Sequence, residues 1–587
     1  MRAKIVALSI GALAVAAPFF MGDTGAIDIF GSILLICIAA MALNLITGLG
    51  GQISLGHAAL MGVGAYTAGV LSSRLDIDFF AGLGVTVLVS ALIGLLFGAP
   101  SLRVRGQYLA LVTVGGGFVF TRVIAEARFA GGESGLIDVG PMVAFGHSLD
   151  LKGQTAVIAI LFLICLYLAT TVTTSRIGRA LTAIKVSERG AEAAGIDTYR
   201  VKLGTFVGSS VMAGMAGALF AHKEGFVSPS TFGFDLSLVL IMACIVGGVG
   251  RPLGGVIGAF VFAGPFIAYP GAARYQLAIL GPIALITLLF FPEGIAGKVR
   301  SMRGSGGLSD FAAAEPFAVA PVAVKRSASS DKEPLLVASN ISKHFGGVAA
   351  LDDVSLQVAT GSVHALIGPN GSGKTSFINC ITGVQRSDAG EVRFDGSAVQ
   401  GRPHLIARKG VARTFQEPLT FDGLSMLEDV AIGAKVGAKA GTAACLLGTR
   451  SSKRGDALAA GWASQALIAV GLDATEAAKM RTDELSYGQS KRLEMARAIA
   501  MQPRLLILDE PSAGKDPTEI QALVALLGEL KDRGMTILLV DHHMDLVMNV
   551  ADKVTVLDHG RVVASGTPGE ITRDQRVIDA YLGDAPE

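Results

Sequence analysis

The sequence predicts two unlike structures in one chain. A polytopic α-helical membrane bundle of eight to ten spans comes first, and an α/β domain built on a phosphate-binding loop follows. Three observations predict this. Ten runs of 16–20 mostly apolar residues crowd the first 300 positions. Charge is sparse in the same region, with 33 Asp, Glu, Lys and Arg residues in positions 1–300 against 64 in the remaining 287. Finally, Gly368–Thr375 reads GPNGSGKT directly after a short apolar run.

The average hides this asymmetry. Over 587 residues the chain is 51% hydrophobic and 17% charged, where soluble proteins carry about 25% charged residues. That excludes a largely disordered chain and a simple cytosolic enzyme. The net charge of +1 gives no global basic field for nucleic acid. The cysteines Cys37, Cys165, Cys244, Cys380 and Cys445 show no metal-ligand or redox spacing, and read as small buried hydrophobes.

The apolar runs are 5–21, 28–47, 54–72, 79–98, 107–125, 155–174, 203–221, 235–250, 252–269 and 276–291. Several are short for a hydrocarbon core of about 30 Å, so re-entrant or broken segments are expected. The first run has a signal-peptide-like start. Because more spans follow, it reads as an uncleaved first membrane helix. With the amino terminus inside and the spans alternating, inside segments hold thirteen Lys and Arg and outside segments five. The positive-inside rule then gives an even number of spans, with both termini and the charged second half cytoplasmic. Dense Gly and Ala, as in Gly62–Ala65 and Gly214–Ala218, signal closely packed helices. Arg122 and Glu126 read as an i,i+4 pair at the membrane boundary. The inside loop 175–202 favours a short cytoplasmic helix. Residues 301–333 mix Ser-Gly pairs with Ala-Pro alternation and have no helical or strand period, which predicts a flexible linker. The domains expected are therefore 1–300, the linker 301–333, and 334–587.

In the soluble half, the strand-like run Ser362–Ile367 feeds Gly368, Pro369, Asn370, Gly371, Ser372, Gly373, Lys374, Thr375 and Ser376. Such a loop wraps phosphates with backbone N–H groups. Lys374 is expected to reach the β and γ phosphates, and the Thr375 hydroxyl to bind Mg²⁺. Leu505–Leu508 is a continuous apolar run of the kind buried in a parallel sheet, and it ends in Asp509 and Glu510. Carboxylates at a strand's carboxyl end lie where α/β sheets bind ligands. Asp509 is expected to hold Mg²⁺, and Glu510 to act as general base on water.

Between these motifs lies Leu485-Ser486-Tyr487-Gly488-Gln489, which resembles the signature of ABC-transporter ATPases, although Gly is usual where Tyr487 stands. Thr414-Phe415-Gln416 looks like their glutamine loop, implying a catalytic and metal-facing role for Gln416. Asp516 matches the loop after the second carboxylate, with an unusual Lys515 before it. His542 matches the switch histidine by register, with His543 where Asp is frequent. Phe345 is placed either to stack on adenine or to sit in the core. The resemblance implies an ABC-type ATPase domain using ATP and Mg²⁺. Two such domains close head to tail, so that Ser486, Gly488 and Gln489 of one complete the site of the other.

The finer resemblance is to importers of the branched-chain amino acid family. Residues 334–587 are similar to an ATPase subunit, through Tyr487, the insertion around 435–465 and the tail Gly566–Gly583. Residues 1–300 are similar to a permease subunit, through Leu43–Leu45, Gly51–Ala58, Gly64–Tyr66, Arg105–Leu111 and Gly178–Ala180. The two are usually separate chains, and here they are fused. The resemblance implies an inner-membrane protein with a second permease/ATPase pair, either a different chain or a second copy, and an extracytoplasmic solute-binding protein. It makes 184–195 a coupling helix seated on the ATPase near Gln416. The function expected is ATP-driven import of branched-chain amino acids. Import of urea or short amides and an ATP-driven exporter or flippase are the alternatives, followed by a non-transport gate.

Overall fold

A computed structural model describes residues 2–102, 108–144, 147–269, 271, 275–297, 334–399, 401–434, 444–445 and 448–582. The linker 301–333 lies outside the described residues. So do Arg105–Gln107 of the permease motif, 435–443 and 446–447 of the insertion, and Gly583 of the tail.

Among the described residues, each of the ten apolar runs falls mostly on helices. These are Arg2–Phe20, Thr24–Asn44, His57–Leu75, Phe79–Ser101, Tyr108–Glu126, Leu151–Thr174, Thr198–Glu224, Phe234–Gly247, the pair Pro252–Gly258 and Gly264–Ala268, and Gln276–Phe290. Among the described residues, six helical stretches are long and apolar enough to cross a membrane: Thr24–Leu49, Phe79–Ser101, Tyr108–Glu126, Leu151–Thr174, Thr198–Glu224 and Pro229–Gly247. Val6–Phe20 and Pro252–Ala268 are shorter apolar helices. The chain is an integral membrane protein.

Two of these helical stretches contain a wide π-type turn, at Leu45–Leu49 and at Ala259–Ala263. Main chain freed in a membrane needs a partner, and Asn44 supplies one. Its Nδ2 donates to Gly248 O at 3.2 Å and to Arg251 O at 2.7 Å, while its Oδ1 accepts from the Gly250 N–H at 2.7 Å. Small residues bring backbones together, as the composition predicts. A Cβ on Gly64 would strike the Gly214 backbone, and one on Gly217 would strike Met61 O. Arg122 and Glu126 form the expected exposed ion pair at 2.7 Å. All five cysteines are free and buried.

The described residues fall into two compact units. The first comprises those within Met1–Leu181, Tyr199–Gly306 and Thr442–Gly448; the second, those within Thr182–Thr198, Gly307–Gly441 and Thr449–Glu587. In the first, strands β1 (Val143–Ala144) and β2 (His147–Ser148) make a small hairpin.

The second unit is built on two sheets. Strands β3 (Pro334–Phe345), β4 (Val348–Ala359), β6 (Ala389–Phe394) and β7 (Ser397–Ala398) form an antiparallel sheet in the order β4-β3-β6-β7. The larger sheet uses β5 (Val363–Ile367), β8 (Val411–Arg413), β9 (Leu505–Asp509), β10 (Thr536–Val540), β11 (Lys553–Asp558) and β12 (Arg561–Gly566). Its order is β12-β11-β5-β10-β9-β8, parallel throughout except for β12. Every residue of β5, β9 and β10 is buried. That explains why the sequence shows continuous apolar runs rather than alternation.

Within this unit the helix Glu188–Ala193 packs on the helix Pro403–Arg408. Arg408 Nε donates to Gly195 O at 3.1 Å, and His404 Nε2 lies 3.5 Å from Asp197 Oδ2.

Candidate nucleotide site

The parallel strands deliver the site residues in spatial order. Gln416 follows β8, Asp509 and Glu510 close and follow β9, His542 follows β10, and Gly368–Gly373 follows β5. These four strands are neighbours, so residues up to about 170 positions apart in sequence leave the carboxyl ends of adjacent strands, where such sheets bind ligands.

The phosphate loop is shaped by its glycines. Gly371 has φ +83° in open space, and Gly368 has φ +150° with the Leu557 carbonyl where a Cβ would stand. The helix Lys374–Ile381 starts at the loop's end, so its unpaired N–H groups face the loop. Asn370, Gly371 and Thr375 are exposed, whereas Gly368, Ser372 and Lys374 are buried. Lys374 Nζ donates to Gly368 O at 2.7 Å and to Pro369 O at 2.8 Å. Burial lowers the lysine's pKa, while Glu510 and Asp509 act to raise it.

Asp509 is buried, and its Oδ2 lies 3.2 Å from Arg413 Nη2. Burial pushes its carboxyl above the usual range, and Arg413 opposes that shift. Glu510 occupies the left-handed region at φ +48°. Its N–H donates to Val540 O at 2.7 Å, and its Oε2 accepts from Gln416 Nε2 at 3.2 Å.

The remaining predicted residues sit farther out. The His542 side chain is exposed and approaches Asp541 Oδ1 at 4.0 Å, while His543 Nδ1 is buried with no partner among the described residues. Phe345 is exposed at the end of β3, with Lys343 Nζ 5.6 Å from its ring centre, so it lies outside the core. Ser486 and Gln489 form a capping box on the helix Tyr487–Ala500. Asp516 and Glu519 do the same for Pro517–Asp532. Among the described residues, no hydrogen bond joins Ser486, Gly488 or Gln489 to the phosphate loop.

A nucleotide cradle, a strand-end carboxylate pair and a bundle of membrane helices therefore occur in one chain. Comparison with known proteins yields matches for both halves. Residues 25–288 match the permease component of the branched-chain amino acid transport system. Residues 351–513 match the ABC transporter family, and 561–587 match the branched-chain amino acid ATP-binding cassette transporter. The high-affinity branched-chain amino acid transport ATP-binding protein BraF of Pseudomonas aeruginosa is 40% identical over 254 residues, which is 43% of this chain and 99% of that protein. The LivG proteins of Salmonella typhimurium and Escherichia coli are each 38% identical over 255 residues, again 43% of this chain and 99% of theirs. The chain belongs to the branched-chain amino acid ABC transporter family. It carries the permease and the ATP-binding cassette together.

The cassette of this ABC transporter binds ATP and couples its hydrolysis to transport. Its geometry also reveals residues that the motifs alone did not single out. Arg413, three positions before Gln416, holds Asp509 and also donates to Asn379 Oδ1 at 2.6 Å. Asp541 ties two loops together, accepting from Ser512 Oγ at 2.6 Å and from the His543 N–H at 2.9 Å. Lys491 Nζ donates to Glu510 O at 2.8 Å. Each of these is a charged residue in or beside a buried strand or helix, and that is the signal by which they could have been found.

Proposed function

We propose that this chain is half of an ATP-driven importer that carries branched-chain amino acids across the bacterial cytoplasmic membrane. In this reading residues 1–300 form the permease, 301–333 the linker and 334–587 the cassette on the cytoplasmic side. One observation carries the proposal. The glutamine, carboxylate, histidine and phosphate-loop elements leave four adjacent parallel strands, on a chain whose first half matches a branched-chain amino acid permease family.

The roles follow from chemistry at those positions. Gly368–Gly373 and the helix behind it cradle phosphates, Lys374 neutralises their charge, and Ser376 extends the cradle. Phe345, exposed at the end of β3, offers a ring for adenine. Glu510 takes the proton of the attacking water, with Gln416 setting the direction of its carboxylate. His542 stands at the end of the strand between the carboxylates and the phosphate loop, where it can sense the γ-phosphate. Thr375, Gln416 and Asp509 offer a hydroxyl, an amide oxygen and a carboxylate, all hard oxygen donors that suit Mg²⁺. The metal would supply charge neutralisation at the phosphate oxygens.

One cassette leaves its exposed Ser486 and its Gly488 and Gln489 without a nucleotide of their own. They complete the site of a second cassette, and Asp516 lines the same junction. A second permease/cassette pair and an extracytoplasmic binding protein are the partners this requires.

The test is uptake into proteoliposomes holding this chain with its co-purifying partners and the binding protein. Leucine should accumulate only when ATP is on the cassette side. Efflux would favour an exporter, and competition by urea but not valine would move the substrate class.

A further inference from the structure

The helix Tyr487–Ala500 buries three charged side chains, Lys491, Glu494 and Arg497, spaced three residues apart along one side. Buried charges are costly unless hydrogen-bonded. All three bond main-chain groups of the loops that leave β8 and β9. Lys491 Nζ donates to Glu510 O at 2.8 Å. Glu494 Oε1 accepts from the Phe415 N–H at 3.1 Å, one residue before Gln416. Arg497 Nη2 donates to Leu419 O at 2.5 Å, three residues after it. Arg497 is itself fixed by Asp429 Oδ1 at 2.8 Å.

Glu510 needs such a hold. A non-glycine residue at φ +48° leaves that conformation unless its surroundings determine it. Its N–H is tied to β10 through Val540 O, and its C=O is tied to the signature helix by Lys491 through a charge-assisted bond. The lysine is in turn placed by the ring of Tyr487, 5.5 Å from Nζ. That ring also borders the Gly514 backbone, 3.8 Å from where a Cβ on Gly514 would stand.

We infer that Lys491 is a positioning residue for ATP hydrolysis. It fixes the Glu510 peptide to the helix that begins with the signature, so the placement of that helix sets where the Glu510 carboxylate reaches. The inference rests on Glu510 being the base, as proposed above. Tyr487, which stands where Gly is usual, then serves to orient the lysine.

The experiment compares K491M and K491R in the full chain, assembled with its partner chains. ATPase kcat and KM, nucleotide binding and thermal unfolding are measured together. K491M keeps an unbranched side chain one atom shorter and removes the charge. It should lower kcat about tenfold to a hundredfold, the scale of a misplaced catalytic group, with KM for ATP and the unfolding temperature near wild type. K491R should restore most of kcat. The inference is overturned by a wild-type kcat in K491M, by equal losses in kcat and nucleotide binding, or by no rescue in K491R. Should K491M fail to fold, K491Q replaces it, with an intermediate kcat expected and a wild-type kcat again fatal. An E510Q control separates the two ideas. Normal turnover in E510Q sinks the base assignment, whereas an inactive E510Q beside a fully active K491M sinks only the role of Lys491.

Discussion

Gln416 Nε2 donates a 3.2 Å hydrogen bond to Glu510 Oε2. The two residues are 94 positions apart and follow neighbouring strands, β8 and β9. The bond leaves the second carboxylate oxygen of Glu510 for water and makes the glutamine loop part of the base's orientation. Because the same loop carries Leu419 and Phe421, which border Gly190, the Glu510 carboxylate and the helix Glu188–Ala193 are linked through one short segment.

Glu510 is expected to be essential for hydrolysis but not for ATP binding. E510Q keeps the shape of the side chain but cannot take a proton. ATP binding should persist while steady hydrolysis falls by about 10²–10⁴, the range of general-base contributions, trapping the closed cassette pair. Phosphate release measured alongside retained ATP checks it, and normal turnover would remove Glu510 as the base.

Arg413 is predicted to matter through Asp509. R413M leaves a buried carboxylate without its cation, and breaking such a pair typically costs about 3–5 kcal/mol. The Asp509 carboxyl, already raised by burial, should rise further. Thermal unfolding should show a clear drop for R413M. The double variant R413M/D509N, which removes the stranded charge, should recover much of the loss. Additive destabilisation in the double variant would rule out the pairing.

Glu494 gives a pH dependence with a definite sign. Burial raises its pKa from 4.5 to about 7. The folded chain therefore holds a proton that the unfolded chain has released between pH 4.5 and 7. Stability from this group falls as pH rises through that window and is lost above it. E494Q, which keeps an acceptor for the Phe415 N–H, should match wild type near pH 5 and be the more stable of the two near pH 8. Unfolding temperatures of both proteins across that range test it. An equal response of the two to pH would refute it.

Much of the nucleotide site was legible because short motifs fix both residue type and strand position. GPNGSGKT needs a preceding strand and a following helix, and β5 and Lys374–Ile381 supply them. Leu505–Asp509 reads as a doubly buried strand because nothing in it is polar before the carboxylate. What the sequence hides is the third dimension of buried charge. Lys491, Glu494 and Arg497 look like the solvated face of a helix, since single charges spaced three apart usually are. Their burial depends on loops that arrive from β8 and β9. The membrane half is legible as helices by hydropathy. Broken segments are expected there from short, glycine-rich runs, but their positions at Leu45–Leu49 and Ala259–Ala263 are not, because a π-type turn in an apolar run changes no residue's hydrophobicity. Asn44 was visible only as part of a motif, and its three bonds to 248–251 explain why a polar amide is tolerated there.

The contact between Glu188–Ala193 and the glutamine-loop segment is expected to tie ATP hydrolysis to transport. The helix Glu188–Ala193 lies on Pro403–Arg408 and beside the glutamine-loop segment. A Cβ added at Gly190 would stand 3.3 Å from Phe421 Cε1 and 3.4 Å from Leu419 Cδ1. Alanine there asks its neighbours to yield slightly, whereas a branched valine forces them apart, at about 1–3 kcal/mol for overpacking. Leu419 is also the residue whose carbonyl Arg497 holds, so a displaced Leu419 loosens the signature helix from the glutamine loop. G190V should therefore hydrolyse ATP while moving less substrate. Leucine uptake per ATP is expected to fall roughly tenfold, the equivalent of 1.4 kcal/mol, with G190A close to wild type. Uptake and hydrolysis measured on the same proteoliposomes decide the matter. Equal losses of both would mean that valine only damages the fold, and unchanged uptake per ATP would mean that this contact does not transmit the stroke.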